Sequence, residues 1–246
     1  MMTNTQDIKE QKKSRRNKHQ IRRELLDSVG EALKKHGFAN LGVNLIAEYA
    51  QVDKNTIYRH YKDFQELLTQ YIEKQDYWLK SLEQYKEYKI TDFKGFLSKI
   101  ISGQYETIYR NKELQQLLIW ELAELSTRTK AIARQRETLS EGLIKQYEEI
   151  FRDSGIDFNA ISAILIAGVY YLILHKEHST FCLIDVKNES DRVPKAIGQL
   201  VDMLFNNLEQ YNCKIDIAKK AKKAGIDITT ISEITGIPVD KLLQLV

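Results

Sequence analysis

The stretch Ile46-Ala47-Glu48-Tyr49-Ala50-Gln51-Val52-Asp53-Lys54-Asn55-Thr56-Ile57-Tyr58-Arg59-His60-Tyr61 decides how the N-terminal third of the chain is read. Val43, Ile46, Ala47 and Ala50 recur at helical spacing, which predicts a short helix over Val43–Ala50. Gln51-Val52-Asp53 interrupts the pattern, and Asp53 is a good N-cap for a second short helix, Lys54–Tyr61. Two short helices joined by such a turn have the spacing of a helix-turn-helix. Their crossing needs small or apolar residues, and Ala47, Ala50, Val52 and Ile57 supply them. The second helix then turns Lys54, Asn55, Thr56, Tyr58 and Arg59 outward, side chains able to reach bases and phosphates in a major groove. By shape alone, the same spacing also fits a helical hairpin inside a bundle.

The pattern extends in both directions. Upstream, Ile21, Leu25, Leu26, Val29, Ala32 and Leu33 mark one face of a helix. It stops at Gly37, a left-handed cap, after which Phe38 is expected to fold back onto the core. Downstream, Asp63 caps a fourth helix expected from Phe64 to about Ser81. Further helical faces run through Phe93–Ile108, Leu114–Leu125 and Thr129–Arg152, the last ending at Asp153-Ser154-Gly155. Phe158–Leu174 is apolar nearly all round, and Arg192–Tyr211 is amphipathic. Residues 214–246 read as three short helices, Ile215–Ala224, Ile228–Thr235 and Pro238–Leu245, and Ile231–Ile237 echoes the spacing of Ile46–Val52. Glycine (11 residues) and proline (2) are scarce in the 246, below the usual roughly 7% and 5%. No segment alternates as a strand would, so the fold is expected to be all-α.

Charge is unevenly placed. Residues 1–75 carry 14 Lys and Arg against 10 Asp and Glu, and residues 9–23 alone hold eight basic side chains against one acid. Such asymmetry reads as a solvated, flexible tail or as an arm for a polyanion, with Arg15, Arg16 and Lys18 as its contacts. The longest uninterrupted apolar run, Ala163–Leu174, is twelve residues. A spanning helix needs roughly 18 or more, so no membrane segment is expected. The N-terminal stretch lacks the apolar run of a signal peptide. Cys182 and Cys213 are too few for a disulfide framework or a four-cysteine zinc site, so a cytoplasmic protein is expected.

Residues 25–68 resemble the DNA-binding domain of the TetR/AcrR family of bacterial regulators. That family's pattern is a first helix ending in Gly-Phe/Tyr, then Ile-Ala-x-x-Ala-Gly-Val-Ser-x-x-Thr-Leu-Tyr-x-His-Phe, then Lys-Glu-x-Leu-Leu. This chain has Gly37-Phe38, the Ile46–Tyr61 stretch quoted above, and Glu66-Leu67-Leu68. It departs from the pattern at Gln51, where the family has glycine, at Gly42, where it has a phosphate-contacting Ser or Thr, and at Phe64, where it has lysine. Lys62, two residues earlier, is the replacement cation.

The all-α chain is expected to divide into four parts: a basic arm (1–20), a helix-turn-helix domain (21–68), a helical ligand-binding and dimerisation domain (69–211) and a helical appendage (212–246), of which the resemblance implies the second and third. It implies double-stranded DNA as partner, read by Asn44, Lys54, Asn55, Thr56, Tyr58, Arg59 and Lys62, with Arg15 and Arg16 of the arm on phosphates. His60 and Tyr61 match packing positions. It implies a homodimer through about 158–174 and 192–211. It further implies a small hydrophobic effector, with Tyr105, Tyr109, Trp120, Tyr147 and Tyr170 as expected pocket residues, although aromatics at helical spacing also serve as plain core. The expected function is a repressor released from a pseudo-palindromic operator. Two alternatives stay open: an architectural or cell-division DNA-binding protein without an effector, and a regulator controlled by a protein partner through the appendage. In the appendage, Lys219, Lys220, Lys222 and Lys223 offer a second DNA contact as the alternative to a packing role. No metal or cofactor is expected, and no phosphate loop, nucleophile elbow or His-Glu-x-x-His motif suggests an enzyme.

Overall fold

A computed structural model describes residues 4–74 and 92–245. Among them the regular structure is helical, apart from an isolated bridge between Phe181 and Ile184. The helices are α1 (Asn4–His36), α2 (Val43–Tyr49), α3 (Lys54–His60), α4 (Phe64–Lys74), α5 (Phe93–Arg110), α6 (Lys112–Ala123), α7 (Thr127–Phe151), α8 (Phe158–His175), α9 (Arg192–Lys223), α10 (Ile228–Thr235) and α11 (Val239–Leu245). The part of the fourth predicted helix beyond Lys74 lies outside the described residues.

Two boundaries differ from the sequence reading. Helix α1 starts at Asn4, so its backbone runs through the stretch read as a flexible arm. Apolar periodicity marks where a helix packs and not where it begins, and the Lys, Arg, Glu and Gln of residues 6–16 are good helix formers. Helix α9 continues for 32 residues to Lys223 and absorbs the first predicted helix of the appendage. Nothing in Tyr211-Asn212-Cys213-Lys214 can break it.

The chain forms two compact units, Met1–Tyr88 with Glu106–Ser140, and Lys89–Tyr105 with Glu141–Val246. In the first, Leu25, Val29 and Leu33 of α1 meet Ile46 of α2, Ile57 of α3 and Leu67, Leu68 and Tyr71 of α4. Leu117 and Trp120 of α6 complete this core, and Trp120 stacks on Phe38 at 6.1 Å between ring centres. The buried Glu113 of α6 accepts a hydrogen bond from the Tyr71 hydroxyl on α4 and pairs with Lys34 of α1 at 3.3 Å. A Cβ on Gly30 would lie 2.8 Å from that carboxylate, so glycine is what lets it reach α1.

In the second unit, aromatic rings join four helices. Phe158 of α8 stacks on Tyr147 and Phe151 of α7 at 5.0 and 5.2 Å, and Phe205 of α9 meets Phe151 edge-on at 5.3 Å. The Tyr147 hydroxyl donates to the Phe93 carbonyl on α5 at 2.8 Å. By length and composition alone helix α8, with a mean hydropathy of 1.7 over 18 residues, is long and apolar enough to cross a membrane, and 22% of it is buried within the chain. Asn159 and Ser162 interrupt its apolar run without lowering its average much.

The appendage has its own small core of Ile215, Ala218, Ile231, Ile237 and Leu242. Its α10–α11 crossing repeats α2–α3 in register, each position 185 residues on. Ile46 and Ile57 correspond to Ile231 and Leu242, all four without exposed surface. Gln51 and Gly236 occupy the same turn position with φ of 53° and 69°.

Candidate nucleic-acid interface

Helix α3 is fixed at its start by Asp53, whose carboxylate accepts the Asn55 amide at 2.7 Å. The turn before it passes through Gln51 in the left-handed region, as its place opposite a family glycine implied. The Val52 amide then closes on the Ala47 carbonyl at 3.0 Å. Helix α4 is capped reciprocally. Asp63 accepts the Glu66 amide at 2.7 Å while the Glu66 carboxylate accepts the Lys62 amide at 2.5 Å.

On this frame Asn44, Lys54, Asn55, Tyr58, Arg59 and Lys62 are exposed. Five of them lie on α3, its flank and the entry to α4, and Asn44 opens α2. Thr56 differs from the expectation of an outward phosphate contact. It is buried, and its hydroxyl accepts from the Arg59 guanidinium at 2.7 Å. Its position one turn into α3 faces the crossing with α2, so its hydroxyl aims Arg59 instead. Gly42 leaves α2 without a side-chain cap. Arg15 and Arg16 lie on the helical backbone of α1.

His60 and Tyr61 are packed, and the residue that packs them was not singled out in the sequence. Arg22 of α1 lies 4.6 Å over the Tyr61 ring. Its guanidinium donates to the His60 carbonyl at 2.9 Å and to Gln70 of α4 at 2.7 Å. The Tyr61 hydroxyl returns a bond to the Arg22 carbonyl at 3.0 Å. One cation therefore ties α1 to the end of α3 and to α4. It sits one residue after Ile21, the first residue of the apolar face, in a run of basic residues where it reads as one more surface charge. Burial, together with Lys18, Arg22 and Arg59, holds the His60 imidazole below its usual 6.5. Its Nδ1 is buried without a hydrogen-bond partner.

The expected effector residues divide between the two units. Tyr109 and Trp120 belong to the first unit, where Trp120 is core and donates to Glu124 at 2.6 Å. Tyr105 and Tyr147 are fully buried in the second unit. The Tyr105 hydroxyl donates to the Ser190 carbonyl at 2.8 Å, and burial pushes the Tyr147 phenol well above its usual range. Tyr170 is half-buried on α8. The second unit instead has an apolar cavity of about 200 Å³ between α5, α8 and α9, lined by Leu97, Ile101, Leu165, Leu204, Ser162 and Asn207 among others. Beside it lies an open apolar groove of about 630 Å³ along α8 and α9, sharing Ile161, Leu165 and Leu200 with the cavity.

Residues 25–71 match the family model described as bacterial regulatory proteins, tetR family. No curated protein matches the chain. Among solved structures, a TetR family transcription regulator from Marinobacter aquaeolei VT8 is 16% identical, covers 76% of this chain and 97% of its own, and superposes with a TM-score of 0.56. The fatty acid degradation regulator FadR from Bacillus halodurans is 16% identical over 73% of this chain and 93% of its own, with a TM-score of 0.54. A tetR-family transcriptional regulator from Streptomyces coelicolor is 13% identical over 92% of this chain and 90% of its own, with a TM-score of 0.51. Residues 25–71 are thus similar to the N-terminal domain of bacterial regulatory proteins of the tetR family, and the chain has the fold of TetR-family transcription regulators.

Proposed function

We propose that this chain is a homodimeric transcriptional repressor that reads a two-fold-symmetric operator and is released by a small apolar molecule. The observation that carries the reading is the outward face of α3. Lys54, Asn55, Tyr58 and Arg59 are exposed on a helix whose inward residues and cap are fully engaged. Lys54 and Arg59 suit guanine or phosphate, Asn44 suits adenine, and Tyr58 and Lys62 suit phosphates. Arg15 and Arg16 supply further phosphate contacts along α1.

Two features of the second unit support the rest of the proposal. Helix α8 is apolar yet mostly uncovered within one chain, which is what a helix shared between two protomers requires. The cavity lined by Leu97, Ile101 and Leu165 has Ser162 and Asn207 as its polar lining, a chemistry that suits an acyl chain or another apolar effector. This replaces the scattered tyrosines as the effector site. That a regulator of similar fold is named for fatty acid degradation agrees with such an effector. The protein is expected to act in the cytoplasm.

Selection of genomic fragments by the purified chain at about physiological salt, followed by sequencing, tests the reading. The expected result is a short site of two-fold symmetry near a promoter. Many scattered sites would point to an architectural role, and no enrichment would overturn DNA reading altogether.

A further inference from the structure

The connection between α8 and α9 turns through two successive non-glycine residues in the left-handed region, Cys182 at φ 48° and Leu183 at φ 61°. Phe181 and Ile184 close this turn with two backbone bonds, at 3.0 and 2.9 Å. These are the two central positions of a hairpin turn that Asn-Gly fills without cost, and a γ-branched leucine there is strained. The strain displays something: Leu183 is 91% exposed and Phe181 40% exposed. The turn is also held rigidly. Phe181 packs edge-on against Tyr171 at 5.0 Å, Lys187 pairs with Glu177 at 2.7 Å, and the Asp185 carboxylate accepts the amides of Lys187 and Asn188 at 3.1 Å each. Strained backbone held by its surroundings is typical of functional positions.

Ile184, the last residue of the turn, lines the apolar groove of α8 and α9 together with Ile164, Leu165, Leu172 and Leu200. Knob and groove are therefore neighbours on one surface. The cations that line the groove, Arg192 and Lys195, are each paired within the chain, to Glu189 and Asp191 at 2.5 Å, so two copies can approach without repulsion between unpaired charges. We propose that Leu183 is an intermolecular anchor: the turn seats it in the α8–α9 groove of a second copy of this chain, and each copy's groove is completed by the other's turn. A two-fold axis makes the exchange reciprocal. A turn already rigid loses little freedom on docking, which is the benefit set against its strain. The inference rests on the homodimer reading above.

The test uses the full chain and two readouts, the dimer dissociation constant by sedimentation equilibrium and the melting temperature of the dissociated chain. Leu183→Asn suits the left-handed conformation better and removes the apolar anchor. The expected result is a dimer weakened at least tenfold together with an unchanged or raised melting temperature. A residue that merely supports the loop would move both in one direction. Ile164→Arg places a charge in the groove and is expected to abolish the dimer. If Ile164→Arg does so while Leu183→Asn leaves dimerisation within twofold of the parent, the anchor is overturned and the dimer face stands. If neither substitution changes dimerisation, both proposals fall.

Discussion

Gln51, Gly42 and His60 each put a small free-energy term on a single position of the reading domain. Gln51 holds a left-handed conformation that costs a side chain roughly 1–2 kcal/mol. Gln51→Gly is therefore expected to stabilise the first unit by about 1 kcal/mol, read as a rise in its denaturation midpoint. Gly42 has extended backbone and no atom within 4 Å of a would-be Cβ, so a hydroxyl fits there without strain. Gly42→Ser should cap α2 and tighten operator binding, seen as a lower dissociation constant with an unchanged salt dependence. For His60 the sign is set by its depressed pKa. The folded state favours the neutral ring, so its stabilising contribution is complete above pH 6.5 and is lost as pH falls through the lower folded value. His60→Gln should flatten the pH dependence of the melting temperature over that window.

On the proposed function, the helices divide between those that read and those that hold. Lys54→Ala and Arg59→Ala on α3 should each weaken operator binding by roughly 1–3 kcal/mol where they contact guanine, with the fold unaffected. Arg22→Met on α1 should do the opposite. It removes two hydrogen bonds and the contact with Tyr61, so thermal stability should fall before sequence preference changes. Melting curves and competition against mismatched sites separate the two outcomes. This division also explains what the sequence made legible. Inward positions such as Ile46, Ala47 and Ile57 repeat with helical period, and the caps Asp53 and Asp63 are local, so both could be read directly from the chain. Arg22 acts across 38 to 48 residues of sequence, and no periodicity carries that information. Thr56 reads as outward in the sequence because a helix of seven residues, about two turns, gives too short a pattern to fix its facing.

In the whole molecule, the effector region was the least legible part. Tyr105, Tyr109, Trp120, Tyr147 and Tyr170 share aromatic character and divide between the two units, with Trp120 of α6 in the core of the first. That assignment has a mechanical side. Glu113 of α6 is hydrogen-bonded to α4 and ion-paired to α1, which ties α6 to the helices packed around α3. Glu113→Ala leaves the Tyr71 hydroxyl and Lys34 without this partner. It should destabilise the first unit by roughly 1–3 kcal/mol. It should also reduce the effect of any effector on DNA affinity, measured as the ratio of operator dissociation constants with and without a saturating acyl ligand.

The appendage gives this chain an internal control. Its α10–α11 crossing keeps the inward pattern of the reading domain and the same left-handed turn, yet presents Val239, Asp240 and Gln244 where α3 presents Lys54, Asn55 and Arg59. The same scaffold is thus written twice with two different outer alphabets. Inward letters spell the shape and outward letters spell the address, and the two texts can be edited independently. On the proposed function, new operator preferences are therefore open to this chain by drift at a handful of exposed positions, with no renegotiation of the fold beneath them.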